Sequence, residues 1–268
     1  MSTTAPPVSA FMITFNNERT VETALRSLSW ADELVVVDSH STDRTPEIAR
    51  RYATVFDQRE WPGFRDQYQY AMDRCTHDWC VFADADEELS PALIREIPTI
   101  LSRNAKAPHH QQIRGYYGHR RTWYLGRWIE HGAWVPDFEL RLVDRRVSQW
   151  RGGLHARIYT DGPVAHLKHF IYHYTYADIA DQLKTINDYS TTAADDMRRE
   201  SRTFSWAKLV VSPPTRFVRD YILKRGFLDG FAGLVIAVNT MCYVFNKHAK
   251  LREQEKRFAD SAPGEQGT

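Results

Sequence analysis

The sequence predicts an α/β fold, with a mainly parallel sheet first and helices following at the C-terminus. Three observations carry this. Short apolar runs alternate with helical patterns at intervals of about 25 residues, the mark of βαβ units wound right-handedly. The chain has 268 residues, 43% of them hydrophobic, enough for one large domain or one and a half without a disulfide or metal staple. Three polar clusters, Thr14–Glu18, Asp38–Asp43 and Asp84–Glu87, fall where strands should end. In such sheets ligands sit outside the carboxyl ends of the strands.

Residues 8–14, VSAFMIT, lie between Pro6-Pro7 and the polar FNNE turn and read as a buried strand. Val21, Ala24, Leu25 and Leu28 then recur at helical spacing. Leu34 to Val37 is a second β-branched run ending at Asp38, and Pro46 to Tyr52 reads as a helix. Thr54 to Phe56 gives a third strand, Gly63 to Met72 a helix, and Trp79 to Ala83 a fourth strand ending at Asp84. Residues 114–150 are crowded with Arg, Trp and Tyr in strand-like pieces. Residues 178–200 and 204–256 read as helical, with breaks expected at Pro213-Pro214 and at Gly226. The expected organisation is a flexible stretch over 1–7, a catalytic domain over 8–175 and a helical region over 176–256. The catalytic domain divides into a nucleotide-binding half, 8–100, and an acceptor half, 101–175. A disordered tail over 257–268 completes it.

A balance of 35 basic against 34 acidic residues argues against a nucleic-acid binder. Cys75, Cys80 and Cys242 show no metal-ligand spacing and, being odd in number, fit no disulfide framework, so a reducing cytoplasm is the simple reading. The N-terminus lacks the pattern of a secretory signal. Phe231 to Phe245 is the longest apolar stretch; it is too short to span a bilayer and contains Asn239. The sequence therefore reads as soluble or membrane-surface. Between Arg198 and Arg257 stand 13 Lys/Arg against five Asp/Glu, an excess of eight. Beside Trp206, Leu209, Phe217, Tyr221, Phe227 and Phe231 this reads as a helix on an anionic membrane surface. A helical appendage packing on its own domain, or on a second subunit in an oligomer, is the alternative.

Asp84-Ala85-Asp86 places two carboxylates at i and i+2 beyond a strand. One can reach a ribose or backbone while the other holds Mg²⁺ or Mn²⁺, which take one or two carboxylates beside phosphate oxygens. The plain alternative is an acidic loop capping the helix at Pro91. Asp38, followed by Ser39, Ser41, Thr42 and Asp43, can accept from a base or ribose, or the cluster can simply cap the helix near Pro46.

FMITFNNE, LVVVDSHSTDRT and DWCVFADADEE, in this order and spacing, resemble the nucleotide-binding half of family-2 glycosyltransferases, which have the GT-A, Rossmann-like fold. GRWIEHGAWVPDFELRLVDR, GGLHARIYTDG and HFIYHYTYADIADQLKTINDYS are similar to bacterial members of lipopolysaccharide-core type, the β-1,4-glucosyltransferases of the inner core. The resemblance covers residues 8–245. It implies that Thr14, Asn16, Glu18, Gln67 and Asp84 line a nucleotide-sugar pocket, with Asp38 on the base or ribose. It also implies a divalent metal on Asp84 and Asp86, with Asp86 the more direct ligand. His155 would lie near the diphosphate as a further ligand, with a structural histidine in a Gly-rich turn as the alternative.

One position departs from the family pattern. Where a Glu would follow His155, this chain has Ala156. Inverting transfer needs a base for the acceptor hydroxyl, and alanine cannot accept a proton. Three readings stay open: an engineered alanine, a natural enzyme using another carboxylate, or a homologue without catalysis. Asp137, Glu139 and Asp161 are the nearest substitutes. The clean continuation Arg157-Ile-Tyr-Thr-Asp-Gly favours the first. For the acceptor, Arg120, Arg121, Arg127 and Arg141 could meet phosphates or carboxylates of an anionic saccharide, and Trp134 could stack on a sugar.

The expectation is thus a metal-dependent, inverting hexosyltransferase, peripheral on the cytoplasmic face of the cell membrane. It would use a UDP-sugar, UDP-glucose first, and a lipid-linked or lipopolysaccharide-core acceptor. Another polyprenyl-linked or cell-surface glycan is the nearby alternative acceptor. A non-catalytic sugar-nucleotide-binding protein is the alternative from another class.

Overall fold

A computed structural model describes residues 5–152 and 156–261, with side chains described through Arg257. The elements are β1 (Val8–Thr14), α1 (Val21–Leu28), β2 (Glu33–Asp38), α2 (Thr45–Tyr52), β3 (Val55–Gln58), α3 (Phe64–Asp73), β4 (Trp79–Phe82) and β5 (Glu87–Leu89). There follow α4 (Pro91–Ala105), β6 (Gly115–Tyr124), β7 (Arg127–Trp128), β8 (Phe138–Asp144), β9 (Ser148–Arg151), β10 (Arg157–Thr160), β11 (Val164–His173), α5 (Ile179–Arg199), α6 (Trp206–Phe217) and α7 (Gly230–Ser261). They form two compact units: residues 1–122 with 136–175, and residues 123–135 with 176–268. The segment 123–135 therefore packs with the C-terminal helices, although it lies inside the stretch that the sequence assigns to the acceptor half.

In the first unit the sheet runs in the order β3-β2-β1-β4-β8-β6-β11-β5. β3, β2, β1 and β4 are parallel. β8 is antiparallel to both β4 and β6, while β6 and β11 run parallel. The central strands β1 and β2 are buried along their whole length, which is why they read as unbroken apolar runs rather than alternating ones. Helices cover both faces. Val21, Ala24, Leu25 and Leu28 of α1 enter one apolar cluster with Leu93, Ile97 and Leu101 of α4. Tyr68, Ala71 and Met72 of α3 enter the other. α4 starts on Ser90, whose Oγ accepts the Leu93 amide at 3.3 Å, with Pro91 in the first turn.

In the second unit, Trp123 and Tyr124 pair with β7. Its apolar centre joins Tyr124, Ile129, Ala232 and Ile236. The Tyr124 hydroxyl donates to Gln182 Oε1 at 2.6 Å, and Asn239 donates to the same oxygen. Gly233 lets α7 pass against the Gly226 backbone: a Cβ there would stand 1.9 Å from the Gly226 carbonyl oxygen. The helix break expected at Pro213-Pro214 does not occur. Both prolines lie inside α6, and the chain relaxes only after them, in a π-helical stretch over Val218–Leu223. α7 is long and apolar enough to cross a membrane by length and composition, with 39% of its apolar window buried.

Candidate active site

The three polar clusters of the sequence lie at the carboxyl ends of β1, β2 and β4, and the first two knit together by hydrogen bonds. The parallel register Thr14↔Asp38 brings Thr14 Oγ1 to Asp38 Oδ1 at 2.9 Å. Asn16 adopts a left-handed φ of 53°, which a short polar side chain tolerates. Its amide donates to Ser41 Oγ at 2.9 Å, and its Oδ1 accepts the Thr42 amide at 2.8 Å. Glu18 and Asp43 close the turn: the Glu18 amide donates to Asp43 Oδ2, and Glu18 Oε2 accepts the Arg44 amide.

Asp38 is fully buried. Its carboxylate accepts from Thr14 Oγ1, from the Ser41 hydroxyl and amide, and from Gln58 Nε2. Four donors fill both oxygens, so Asp38 locks the two strand ends together here rather than offering an open acceptor to a base or ribose. Asp38→Ala should cost about 1–3 kcal/mol for each buried donor left without an acceptor, a loss that urea unfolding measures. Gln67, also fully buried, donates to Ser39 Oγ at 3.0 Å, while its Oε1 has no protein partner.

Beyond β4 lies a dense ionic network. Gly118 on β6 pairs with Glu139 on β8, and the register then shifts opposite Leu140–Leu142, so Arg141 stands at a bulge in β8, where it shares Glu87 with Arg120. Arg141 is 1% exposed. Its Nη2 lies 2.9 Å from Asp84 Oδ2, 2.6 Å from Glu87 Oε1 and 3.4 Å from Glu139 Oε2, and its guanidinium sits 4.6 Å over the Phe82 ring. Gly118 leaves room for it; a Cβ there would meet Arg141 Cγ at 3.3 Å and Ile171 Cδ1 at 2.6 Å. Arg120 binds Glu87, Asp137 and Glu139 at 3.2, 2.8 and 3.3 Å.

Burial favours the neutral form of Asp84. The Arg141 charge, the hydrogen bond from Tyr68 and the Arg120 charge outweigh it and bring Asp84 down to about 2. For fully buried Glu87 burial dominates and its carboxyl is pushed up, against the pull of Arg141. Burial also pushes the Tyr68 hydroxyl well up, reinforced by the charge of Asp84, to which it donates. Tyr68 is itself held by a stacked Trp150 ring, 4.2 Å away.

Asp86 lies in a turn at Ala85–Asp86 and meets a different partner from Asp84. Its Oδ2 is 3.3 Å from His173 Nε2, at the end of β11. Burial alone would hold the His173 imidazole down, but the Asp86 carboxylate beside it raises it. Asp86 with His173 is an oxygen–nitrogen donor pair suited to Mn²⁺ or Mg²⁺ with phosphate oxygens completing the shell. Asp84 is committed to Tyr68 and Arg141 instead. Among the described residues no group of three or more His, Cys, Asp or Glu side chains is arranged to hold a metal. His155 lies outside the described residues.

The remaining sequence candidates divide. Asp137, Glu139 and Ala156 share the wall of a cavity of about 420 Å³ with Trp150, Phe138 and Tyr159. Asp161 is exposed in the turn after β10. Arg141 has no surface with which to meet an acceptor, and Arg120 is engaged by three carboxylates; both hold the site together from within. Arg121 lies over the Phe170 ring at 5.4 Å. In the second unit, Arg127 pairs with buried Asp229 at 3.0 Å, and Trp134 packs edge-on against Tyr124 at 5.3 Å. Sequence reasoning gave no role to Tyr68, Glu87 or His173. Only the alternation of YHY at the end of an apolar strand hinted at the last.

Known proteins similar to this chain are glycosyltransferases. The lipopolysaccharide core biosynthesis glycosyltransferase LpsC of Rhizobium meliloti (strain 1021) is 28% identical over 258 residues, covering 91% of this chain and 93% of that protein. The uncharacterized glycosyltransferase RT0209 of Rickettsia typhi is 28% identical over 258 residues, covering 92% and 87%. Among solved structures, the mannosyltransferase PcManGT of Pyrobaculum calidifontis, in complex with GDP-Man and Mn²⁺, matches with a TM-score of 0.49 at 14% identity, covering 94% of this chain and 88% of that one. Residues 9–164 match Glycosyl transferase family 2. The α/β fold, with its mostly parallel sheet and C-terminal helices, is of the GT-A type, and the chain belongs to glycosyl transferase family 2.

Proposed function

We propose that this glycosyltransferase moves a hexose, glucose first among candidates, from a UDP-sugar to a lipid-linked or lipopolysaccharide-core saccharide, with inversion and with a divalent metal. The name of LpsC supports the acceptor class. In this reading residues 8–100 hold the nucleotide, residues 101–175 face the acceptor, and the chain works at the cytoplasmic face of the membrane.

The observation that carries the reading is the charge at the carboxyl end of β4. Asp84, Asp86, Glu87, Asp137 and Glu139 gather there, and among the described residues Arg120, Arg141 and His173 pair with them. A cation is the natural complement, and Asp86 with His173 would hold it. A divalent metal held by Asp86 and His173 would supply charge neutralisation to the departing diphosphate. The chain's own residues do the rest. Asn16, Glu18 and Ser41 shape the nucleotide end, and Arg141 and Tyr68 hold Asp84 rigid beside Asp86. The cavity lined by Asp137, Glu139 and Ala156 receives the acceptor hydroxyl. That hydroxyl oxygen bonds to the anomeric carbon as the bond to the diphosphate oxygen breaks, and its proton must leave to a base.

Ala156 supports a second reading, a protein that binds the sugar nucleotide without transferring it. UDP release from UDP-glucose and UDP-galactose, followed with Mn²⁺ and with a chelator, tests the proposal. Release that starts with Mn²⁺ and stops on chelation supports it. Release unaffected by the chelator would contradict the metal's role, and none from any donor would favour the binding-only reading.

A further inference from the structure

The second unit carries an apolar and cationic surface that the transfer reaction does not use. Where α6 gives way to α7, Leu223 is 72% exposed and Phe231 68%, with Ile222, Phe227 and Leu228 exposed beside them. On α6 itself, Trp206, Val210 and Pro214 are exposed and recur every four residues, so they form one stripe, and Val218 just beyond it is exposed too. Lys208, Arg219, Lys224 and Arg225 are exposed among them.

The acidic residues are treated in the opposite way. Residues 204–250 contain two, Asp220 and Asp229, and both are buried. Asp220 accepts from Arg216 and Arg219. Asp229 accepts from Arg127 and from the Glu130 and His131 amides. The surface of this stretch therefore shows cations and large apolar groups and no carboxylate. A second copy of the chain would bring like charges against it, whereas an anionic lipid surface complements both features: headgroup phosphates meet the cations, and apolar side chains enter the acyl boundary.

We propose that the α6–α7 tip is a membrane-docking surface, with Leu223, Phe227 and Phe231 inserting into an anionic bilayer and Lys224 and Arg225 meeting its phosphates. This deepens the membrane-face reading above and rests on it. The test is co-sedimentation of the full chain with vesicles of phosphatidylcholine alone and of phosphatidylcholine with phosphatidylglycerol, with UDP binding measured separately. Binding should require phosphatidylglycerol and weaken as salt rises. Leu223→Asp and Phe231→Asp should each lower vesicle affinity about tenfold or more. Lys224→Gln and Arg225→Gln should each lower it about fivefold. Retained UDP binding in these variants shows that they are folded and separates the outcome from the fate of the donor site. Variants that bind vesicles as the parent does would overturn the assignment of this surface. So would a chain that ignores vesicles and forms a dimer that Leu223→Asp converts to a monomer.

Discussion

Arg141→Ala is expected to destabilise the protein by about 3–5 kcal/mol, the cost of removing one partner from a buried ionic cluster. The Arg141 guanidinium sits against Asp84, Glu87 and Glu139 and is almost wholly withdrawn from water. Without it, Glu87 keeps Arg120 at 3.2 Å, but Asp84 keeps that guanidinium only at 4.0 Å. Arg141→Lys should recover only part of the loss, because one ammonium cannot reproduce the planar fork. Denaturant unfolding of the two variants measures both. The pH dependence has a definite sign. Asp84, at about 2 in the folded protein against an ordinary 3.8, contributes stability that is complete above about pH 4 and fades as pH falls toward 2. A loss below about 1 kcal/mol at neutral pH in Arg141→Ala would show that the network is not the brace described above.

Ala156→Glu is expected to raise hexose transfer about 10²–10⁴-fold, the usual worth of a general base. Ala156 lines the same cavity of about 420 Å³ as Asp137 and Glu139, so a longer side chain has space to reach an acceptor hydroxyl. Those two carboxylates are ion-paired to Arg120, and Asp161 lies out in a turn. Donor binding should stay unchanged, since nucleotide recognition needs no base. Turnover measured with matched donor and acceptor decides the matter; no gain over the parent would mean that the base is another group or that the chain does not transfer.

Strands β1, β2 and β4 were legible because burial on both faces turns them into plain apolar runs, each stopped by a polar cluster. VSAFMIT and LVVV need no partner to be recognised. Strands β6 and β8 were not, because Arg120 and Arg141 inside GYYGHRRTWY and FELRLVD look like solvent-facing or ligand-facing cations. Only the antiparallel insertion of β8 between β4 and β6 puts Arg141 in the interior, with carboxylates more than 50 positions distant in sequence. The same holds for His173, whose partner Asp86 is brought near when β11 pairs with β5. Asp38 was visible as a strand-end carboxylate, but its four donors come from three separate segments, so its bracing role could not be read from the SHSTD turn alone. Pro213-Pro214 marked a break because proline removes helix hydrogen bonds; both nevertheless lie inside α6, with a π-helical stretch following it.

The central claim is that Asp86 and His173 hold a metal that fixes a sugar nucleotide at the carboxyl end of β4. Calorimetric titration of UDP, with and without Mn²⁺, on the parent chain and on Asp86→Ala tests it most directly, since binding needs no base and Ala156 does not interfere. The expected result is micromolar binding that requires Mn²⁺ and disappears in Asp86→Ala. Equal binding in the two proteins, or none under any metal condition, would contradict it and leave the strand-end clusters as structural turns.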